Sequence, residues 1–198
     1  SVDDALSRLI GSLGRPGAES SDYDLNPGYV PPPGRKLSPA GVLVAIEQGA
    51  GGPTLVLTKR ASGLKHHPGQ IAFPGGKVDP SDRDSTSAAL REAREEIGLD
   101  PRQVRVLGTL PRHETVTGFD VTPVLGLIEG AFDPVAEPSE VDEAFSVPLA
   151  FVANRAHFGI ERRLWRGQWR SYFTLPYGPY YIWGATARIL RMIADRMA

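Results

Sequence analysis

The chain of 198 residues contains no cysteine. That single absence excludes disulfides, thiolate metal sites and a cysteine nucleophile, and it fits a reducing compartment. A cytoplasmic location is therefore expected. An excess of charge of either sign is also missing: 22 Lys and Arg stand against 23 Asp and Glu, for a formal net charge of -1. A chain without a general basic field is not expected to be a dedicated nucleic-acid binder, although a local basic cluster for a small anion stays open. Long apolar runs are lacking as well. The most apolar early segment, Gly41 to Ile46, falls far short of the roughly 20 residues that cross a bilayer, so no membrane partner is expected. The acidic start Ser1-Val2-Asp3-Asp4 does not have the pattern of a signal peptide.

What is present is an ordinary globular balance, 41% hydrophobic and 23% charged, at a length that suits one domain with additions. Ala5, Leu6, Leu9, Ile10 and Leu13 fall at helical spacing and predict a short amphipathic helix over 2–13. Residues 14–39 are rich in Gly, Pro, Ser and Asp, and Pro31-Pro32-Pro33-Gly34 cannot sit inside a helix or a central strand. Residues 1–39 thus read as a helix and an extended arm wrapping the domain, with a disordered linker as the alternative, and 40–198 as a single domain. Within it, Val42 to Ile46 and Thr54 to Lys59 read as a hairpin around Gly49 to Pro53. A short strand, Gln70 to Phe73, ends at Pro74-Gly75-Gly76. Residues 85–97 form the strongest helix, with Asp84 or Ser85 as N-cap and Gly98 as stop. Val104 to Leu110 and Val121 to Ile128 read as strands. Glu140 to Phe145 is open between strand and helix. Phe158 to Trp165 and Trp169 to Leu175 suggest a hairpin, and Ala185 to Met197 a closing helix with Ala187, Leu190, Ile193, Ala194 and Met197 inward. Strands and helices do not alternate regularly, which favours an α+β fold, a central mixed sheet flanked by helices in an α/β/α sandwich.

The chemistry concentrates in residues 75–99, GGKVDPSDRDSTSAALREAREEIGL. Glu92, Glu95 and Glu96 stand at i, i+3 and i+4, so their carboxylates share one helix face, with Arg91 placed to hold Glu95. Like-charge pairs at this spacing cost only about 0.2–0.5 kcal/mol each, so the stripe alone is compatible with an idle solvated face. The loop in front changes that reading. Gly75-Gly76 lets the backbone turn and present carbonyls, and Asp79, Asp82 and Asp84 add oxygens. Hard oxygen ligands suit Mg2+ or Mn2+, ions that bridge to phosphates. A P-loop is excluded because Ile71 and Val78 stand where it needs Gly and Ser or Thr, and an EF-hand because the aspartates are wrongly spaced.

Arg91-Glu92-Ala93-Arg94-Glu95-Glu96-Ile97-Gly98-Leu99 resembles the second half of the Nudix box, G-x5-E-x7-R-E-U-x-E-E-x-G-U, where U is aliphatic. The first half departs: counted from Gly76, Asp82 stands at the glutamate position, and eight residues separate it from Arg91. A longer spacer with Asp is similar to the coenzyme A diphosphatase branch. Leu57-Thr58-Lys59-Arg60-Ala61, followed by the run from Leu64 to Gly76, resembles that branch's upstream signature, with Ala61 and Lys65 where it has Ser and often Arg. Thr115 to Phe119 with Val121 and Pro123 resembles the loop after the box. The resemblance covers roughly residues 40–150, and the arm and the last 48 residues add little to it.

The resemblance implies a Nudix fold and a diphosphatase that uses Mg2+ or Mn2+ to hydrolyse a nucleotide-containing small molecule, coenzyme A or its thioesters. Glu92, Glu95 and Glu96 are the implied metal ligands, with the carbonyl of Gly76, and Arg91 orients a carboxylate. Asp82 acts through water or by fixing the loop. The general base stays open between Glu92 and Glu114. Arg60, Lys65, Lys77 and Arg112 are candidates to pair with substrate phosphates, and His66, His67 and Phe119 to touch substrate or serve loop and core. Trp165, Trp169 and Tyr172 stay open between core and a dimer face. The family often dimerises, so a homodimer is kept as a partner beside the small-molecule substrate.

Overall fold

Leu6 and Leu9 bury one face of α1 (Asp4–Gly11). The computed structural model describes residues 4–198, so the acidic start through Asp3, and with it the first two residues of the expected helix, lies outside the described residues. Residues 15–37 then run across the molecule in extended and turn conformations, including β1 (Ser20–Ser21). This segment is an arm bound by its polar side chains. The Asn26 side chain exchanges hydrogen bonds with the Ser171 backbone at 2.8 and 3.0 Å. Asp24 pairs with Arg188 at 2.8 Å, and Arg35 with Glu114 at 3.1 Å.

β2 (Ser38–Gly49) and β3 (Gly52–Arg60) form the expected hairpin, closed where Gly49 faces Gly52. β4 (Ile71–Ala72) pairs with β3, and β5 (Gly75–Lys77) pairs with β2. The glycines expected as a turn are thus held in a short strand. After α2 (Ser85–Ile97) come β6 (Val104–Thr109), β7 (His113–Glu114) and β8 (Phe119–Ile128). The ambiguous segment becomes β9 (Val141–Pro148), because it finds a long antiparallel partner in β3. α3 (Leu149–Ala153) leads to β10 (Gly159–Trp165), β11 (Gln168–Tyr177), β12 (Tyr180–Trp183) and α4 (Gly184–Arg196).

Nine strands make one mixed sheet with the path β1-β7-β8-β2-β3-β4, from which β5, β6 and β9 branch. β2 runs parallel to β8, and β1 to β7, whereas the other pairs are antiparallel. Strand alternation divides the core between two faces. Leu43 and Ala45 meet Ala89, Ala93 and Ile97 of α2, while Val44 and Ile46 face Leu190 and Ile193 of α4. The result is helix, sheet, helix, with β10, β11 and β12 forming a separate antiparallel sheet beside α4.

The placement of α2 follows from three local features. Asp84 caps it by accepting from the Ser87 N–H at 2.8 Å. Gly41 lets its first turn lie on β2, since a Cβ there would come within 1.9 Å of the Ser85 carbonyl oxygen. Gly98 ends it in the left-handed region, φ 71°, donating to the carbonyls of Ala93 and Arg94. An added Cβ at Gly98 meets nothing closer than 3.5 Å, so only the backbone conformation penalises a side chain. Gly98→Ala is expected to lower stability by about 1 kcal/mol in urea denaturation, and an unchanged midpoint would refute the capping role.

Candidate functional site

The site is built where β5 meets the solvent side of α2. Gly75 donates its backbone N–H to Glu96 Oε2 at 3.1 Å. Its own approach to β2 requires glycine: φ is 158°, and a Cβ would stand 2.4 Å from the Gly41 carbonyl oxygen. At Gly76 a Cβ would stand 2.8 Å from the carboxyl carbon of Glu92. The two glycines therefore let main chain lie directly against two carboxylates from successive turns of the helix.

A third carboxylate arrives from elsewhere in the chain. One oxygen from each of Glu92, Glu96 and Glu140 lies within 4.8 Å of the others. Glu140 is held there by backbone bonds. The open carbonyls at the C-terminal end of α2 accept from the loop before it, Ile97 from Val135 N–H and Glu96 from Glu137 N–H, each at 2.9 Å. The Glu140 carbonyl in turn accepts from Ala61 N–H at 2.9 Å.

Burial pushes the Glu96 carboxyl up to about 8, and Glu92 and Glu140 add to the rise, against the Gly75 N–H and Arg60. Glu92 is also raised, first by burial, with Arg91 opposing. A desolvated carboxyl among like charges favours either a proton or a bound cation. The donor set, three carboxylates beside a bare glycine backbone, fits a hard divalent ion such as Mg2+ or Mn2+.

Arg91 ties this cluster to the preceding loop. Its guanidinium grips both oxygens of Asp82 at 2.9 and 3.0 Å, donates to Glu92 at 2.9 Å, and reaches the Lys77 carbonyl at 3.3 Å. Asp82 is thereby a clamp on the loop, its own carboxylate also accepting from Asp79 N–H at 2.8 Å. The arginine bonds hold Asp82 below the usual carboxylate range.

The NUDIX domain family matches residues 37–164. The chain belongs to the Nudix family. It is 45% identical over 145 residues to an uncharacterized Nudix hydrolase NudL of Enterobacter sp. (strain 638), covering 72% of this chain and 74% of that protein. It is 43% identical over 142 residues to a NudL of Salmonella newport (strain SL254), with the same coverage. Among solved structures it resembles the Nudix hydrolase RenU of M. smegmatis, at 23% identity and TM-score 0.48, covering 59% of this chain and 80% of that one. As a Nudix hydrolase the chain acts on a diphosphate linkage in a small nucleotide-derived substrate, with divalent metal.

The remaining candidates divide by position. Glu95 of the Nudix box stays outside the triplet, its side chain half exposed and paired to Arg91 at 3.3 Å. Glu140 takes the third place. No local pattern announces Glu140, because it is brought in by the β3–β9 pairing from outside the box. Its only sequence signal is the acidic run Glu137, Glu140, Asp142 and Glu143.

Glu114 is bound elsewhere. It pairs with Arg35 at 3.1 Å and accepts from Ser21 Oγ at 3.2 Å. β8 and β2 separate it from the glycines on β5, three strand spacings or roughly 14 Å. Its neighbour His113 is fully buried between Ser20 and Asp22, at 2.8 Å from each, and fastens the arm. Arg112 pairs with Glu19 and Asp120 at 2.7 and 2.9 Å, so its charge is already matched away from the triplet. Phe119 opens β8 and packs against the core.

Arg60 lies within electrostatic range of the triplet. It acts on Glu96 electrostatically, donates to the His66 carbonyl at 3.2 Å, and has a buried Nε with no hydrogen-bond partner among the described residues. Lys65, His66 and His67 are exposed on the following loop, and Lys77 is exposed beside Gly76. Trp165 is half-buried under the Arg170 guanidinium, Trp169 is exposed, and Tyr172 contacts Trp183 edge-on. Among the described residues no helix is long and apolar enough to cross a membrane.

Proposed function

We propose that this Nudix hydrolase splits the diphosphate of coenzyme A or an acyl-CoA into 3'-phospho-AMP, which is adenosine 3',5'-bisphosphate, and a 4'-phosphopantetheine product. The observation that carries the reading is the meeting of two segments. The upstream segment through Arg60 runs into the glycine elbow, and Arg60, whose buried Nε–H has no partner among the described residues, acts on the Glu96 carboxylate electrostatically without pairing with it. Arginine beside a metal cluster suits a diphosphate, whose charge exceeds what one cation neutralises.

In this reading Glu92, Glu96 and Glu140 hold Mg2+ or Mn2+, with the Gly76 carbonyl as a further ligand. A divalent ion there supplies charge neutralisation for attack at phosphorus. Arg91 and Asp82 keep the carboxylates in place and touch no substrate. Water's oxygen bonds to phosphorus, the bridging P–O bond breaks, and the released proton passes to a carboxylate of the α2 stripe. Glu92 fits that role better than Glu114, because it belongs to the triplet while Glu114 lies on β7, across β8 and β2. Lys65, His66 and Lys77, exposed in the segments on either side of the glycine elbow, are offered as partners for substrate phosphates, and cytoplasm is the matching compartment for such a substrate.

Hydrolysis of coenzyme A, NADH, ADP-ribose and nucleoside triphosphates with Mg2+ or Mn2+ tests the assignment. Coenzyme A is expected to show the highest kcat/KM. If it is the slowest of the set, the subtype is wrong.

A further inference from the structure

β10 is an edge strand. It pairs with β11 alone, and its outer edge has no strand partner among the described residues. Five consecutive residues on it, Ile160 to Leu164, are exposed. Ile160 and Leu164 each leave 57% of their surface in solvent, and Trp169, directly opposite Leu164 on β11, leaves 61%. The far edge of the same hairpin is met by the arm, where the Asn26 side chain bonds both the N–H and the carbonyl of Ser171. Long open edges are commonly blunted by lysine, proline or a bulge. β10 has none of these, and Gly-Ile-Glu-Arg-Arg-Leu-Trp pairs with β11 without a shift of register.

Strand pairing determines which backbone groups this edge presents. Arg162 stands opposite Ser171, whose N–H and carbonyl both go to Asn26 on the far side. Arg162 and Ser171 therefore form a non-hydrogen-bonded pair. The Arg162 N–H and carbonyl point outward, as do those of Ile160 and Leu164 two residues either way. The turn agrees. Arg166 and Gly167, at φ 48° and 75°, close a two-residue hairpin at the hydrogen-bonded pair of Trp165 and Gln168.

We propose that this edge pairs antiparallel with β10 of a second copy of the chain, around a two-fold axis at Arg162, joining the two small sheets into one. Ile160 then meets the partner's Leu164, and about six backbone hydrogen bonds close between the outward residues of the two strands. Glu161 meets the partner's Arg163, and by symmetry Arg163 meets the partner's Glu161, so opposite charges face each other twice. The order apolar, acidic, basic, basic, apolar complements its own reverse, which suits a second copy. Moving the axis one residue either way sets Glu161 or Arg163 against its own copy. Arg162 does oppose itself, but its guanidinium is drawn back over Trp169 on β11, 5.1 Å from the ring centroid and away from the open edge. Arg163 rests over Trp183 at 5.3 Å in the single chain and swings from it to reach the partner's Glu161. Ile160 and Leu164 lie on the face that carries Trp169, so the apolar patch each chain leaves open is shared between two.

Sedimentation equilibrium of the full chain tests the proposal with wild type, Glu161→Arg, Arg163→Glu and an equal mixture of the two variants. Wild type is expected to dimerise reversibly. Each single variant sets like charges against each other at both symmetric contacts, and should raise the dimer dissociation constant about tenfold or more. The mixture should recover a dimer of near wild-type affinity, because a chain basic at both positions then faces one acidic at both. No rearrangement within one chain produces that recovery, and circular dichroism of each variant checks that it is folded. A wild type that stays monomeric through the micromolar range overturns the proposal. So does a single variant that dimerises as tightly as wild type, and so does a mixture of folded variants no more associated than its components.

Discussion

Glu96→Gln is expected to lower the rate of diphosphate hydrolysis by about a hundredfold or more, with the fold retained. Gln keeps the shape and an acceptor for the Gly75 N–H, so the 3.1 Å bond between β5 and α2 survives. What disappears is the charge at the most buried member of the triplet, 6% exposed. Glu92 and Glu140 remain, and a divalent ion bound to them is held with one carboxylate fewer. Steady-state kinetics combined with Mn2+ titration separates the causes. The assignment predicts weaker Mn2+ binding together with the lower kcat. An active variant with unaltered Mn2+ affinity would show that the triplet is not the metal site.

Metal-free protein is expected to lose stability as pH rises from 6.5 to 8, and Mn2+ to restore it most at pH 8. The cause is Glu96, whose ordinary value near 4.5 is pushed to about 8 by burial and by its acidic neighbours. Between those values the folded state keeps a proton that the unfolded chain has released. Stability then falls with rising pH, by at most about 1.4 kcal/mol per unit for one group, or about 2 kcal/mol over this window. Glu92 is shifted in the same direction. His67, lowered from 6.5 first by desolvation, works with the opposite sign and offsets a small part of the fall near the lower edge of the window. The lowered aspartates Asp82, Asp84 and Asp100 act only in acid. Thermal denaturation in chelator and in Mn2+, at pH 6.5 and 8, checks the result. A metal-free midpoint that holds or rises across the window would contradict it, and Glu96→Gln should flatten the slope.

Much of the fold is legible in short-range pattern. The apolar runs Val42 to Ile46 and Val121 to Ile128 mark strands because a central strand must bury both faces. The limits of α2 are readable from Asp84 and Gly98, since a cap and a left-handed stop are satisfied within a few residues. β1, β7, β12 and α3 are not readable in this way. Each is two to five residues long and exists because a partner supplies its bonds, as β8 does for β7. The same holds for Glu140 to Phe145, whose composition suits either state until β3 offers an antiparallel edge.

The sequence by itself determined the family, the stripe of Glu92, Glu95 and Glu96 and the clamp residue Arg91. All of these depend on helical spacing or on backbone geometry over a few residues. Only the tertiary structure decided which carboxylates meet. It brought Glu140 in from the loop before β9 to join Glu92 and Glu96, and set Glu114 and Arg112 in other pairings. Periodicity fixes which side of a helix a charge occupies, whereas the partner facing that side is chosen by strand pairing between distant segments, and desolvation of Glu96 follows only once those segments close over it.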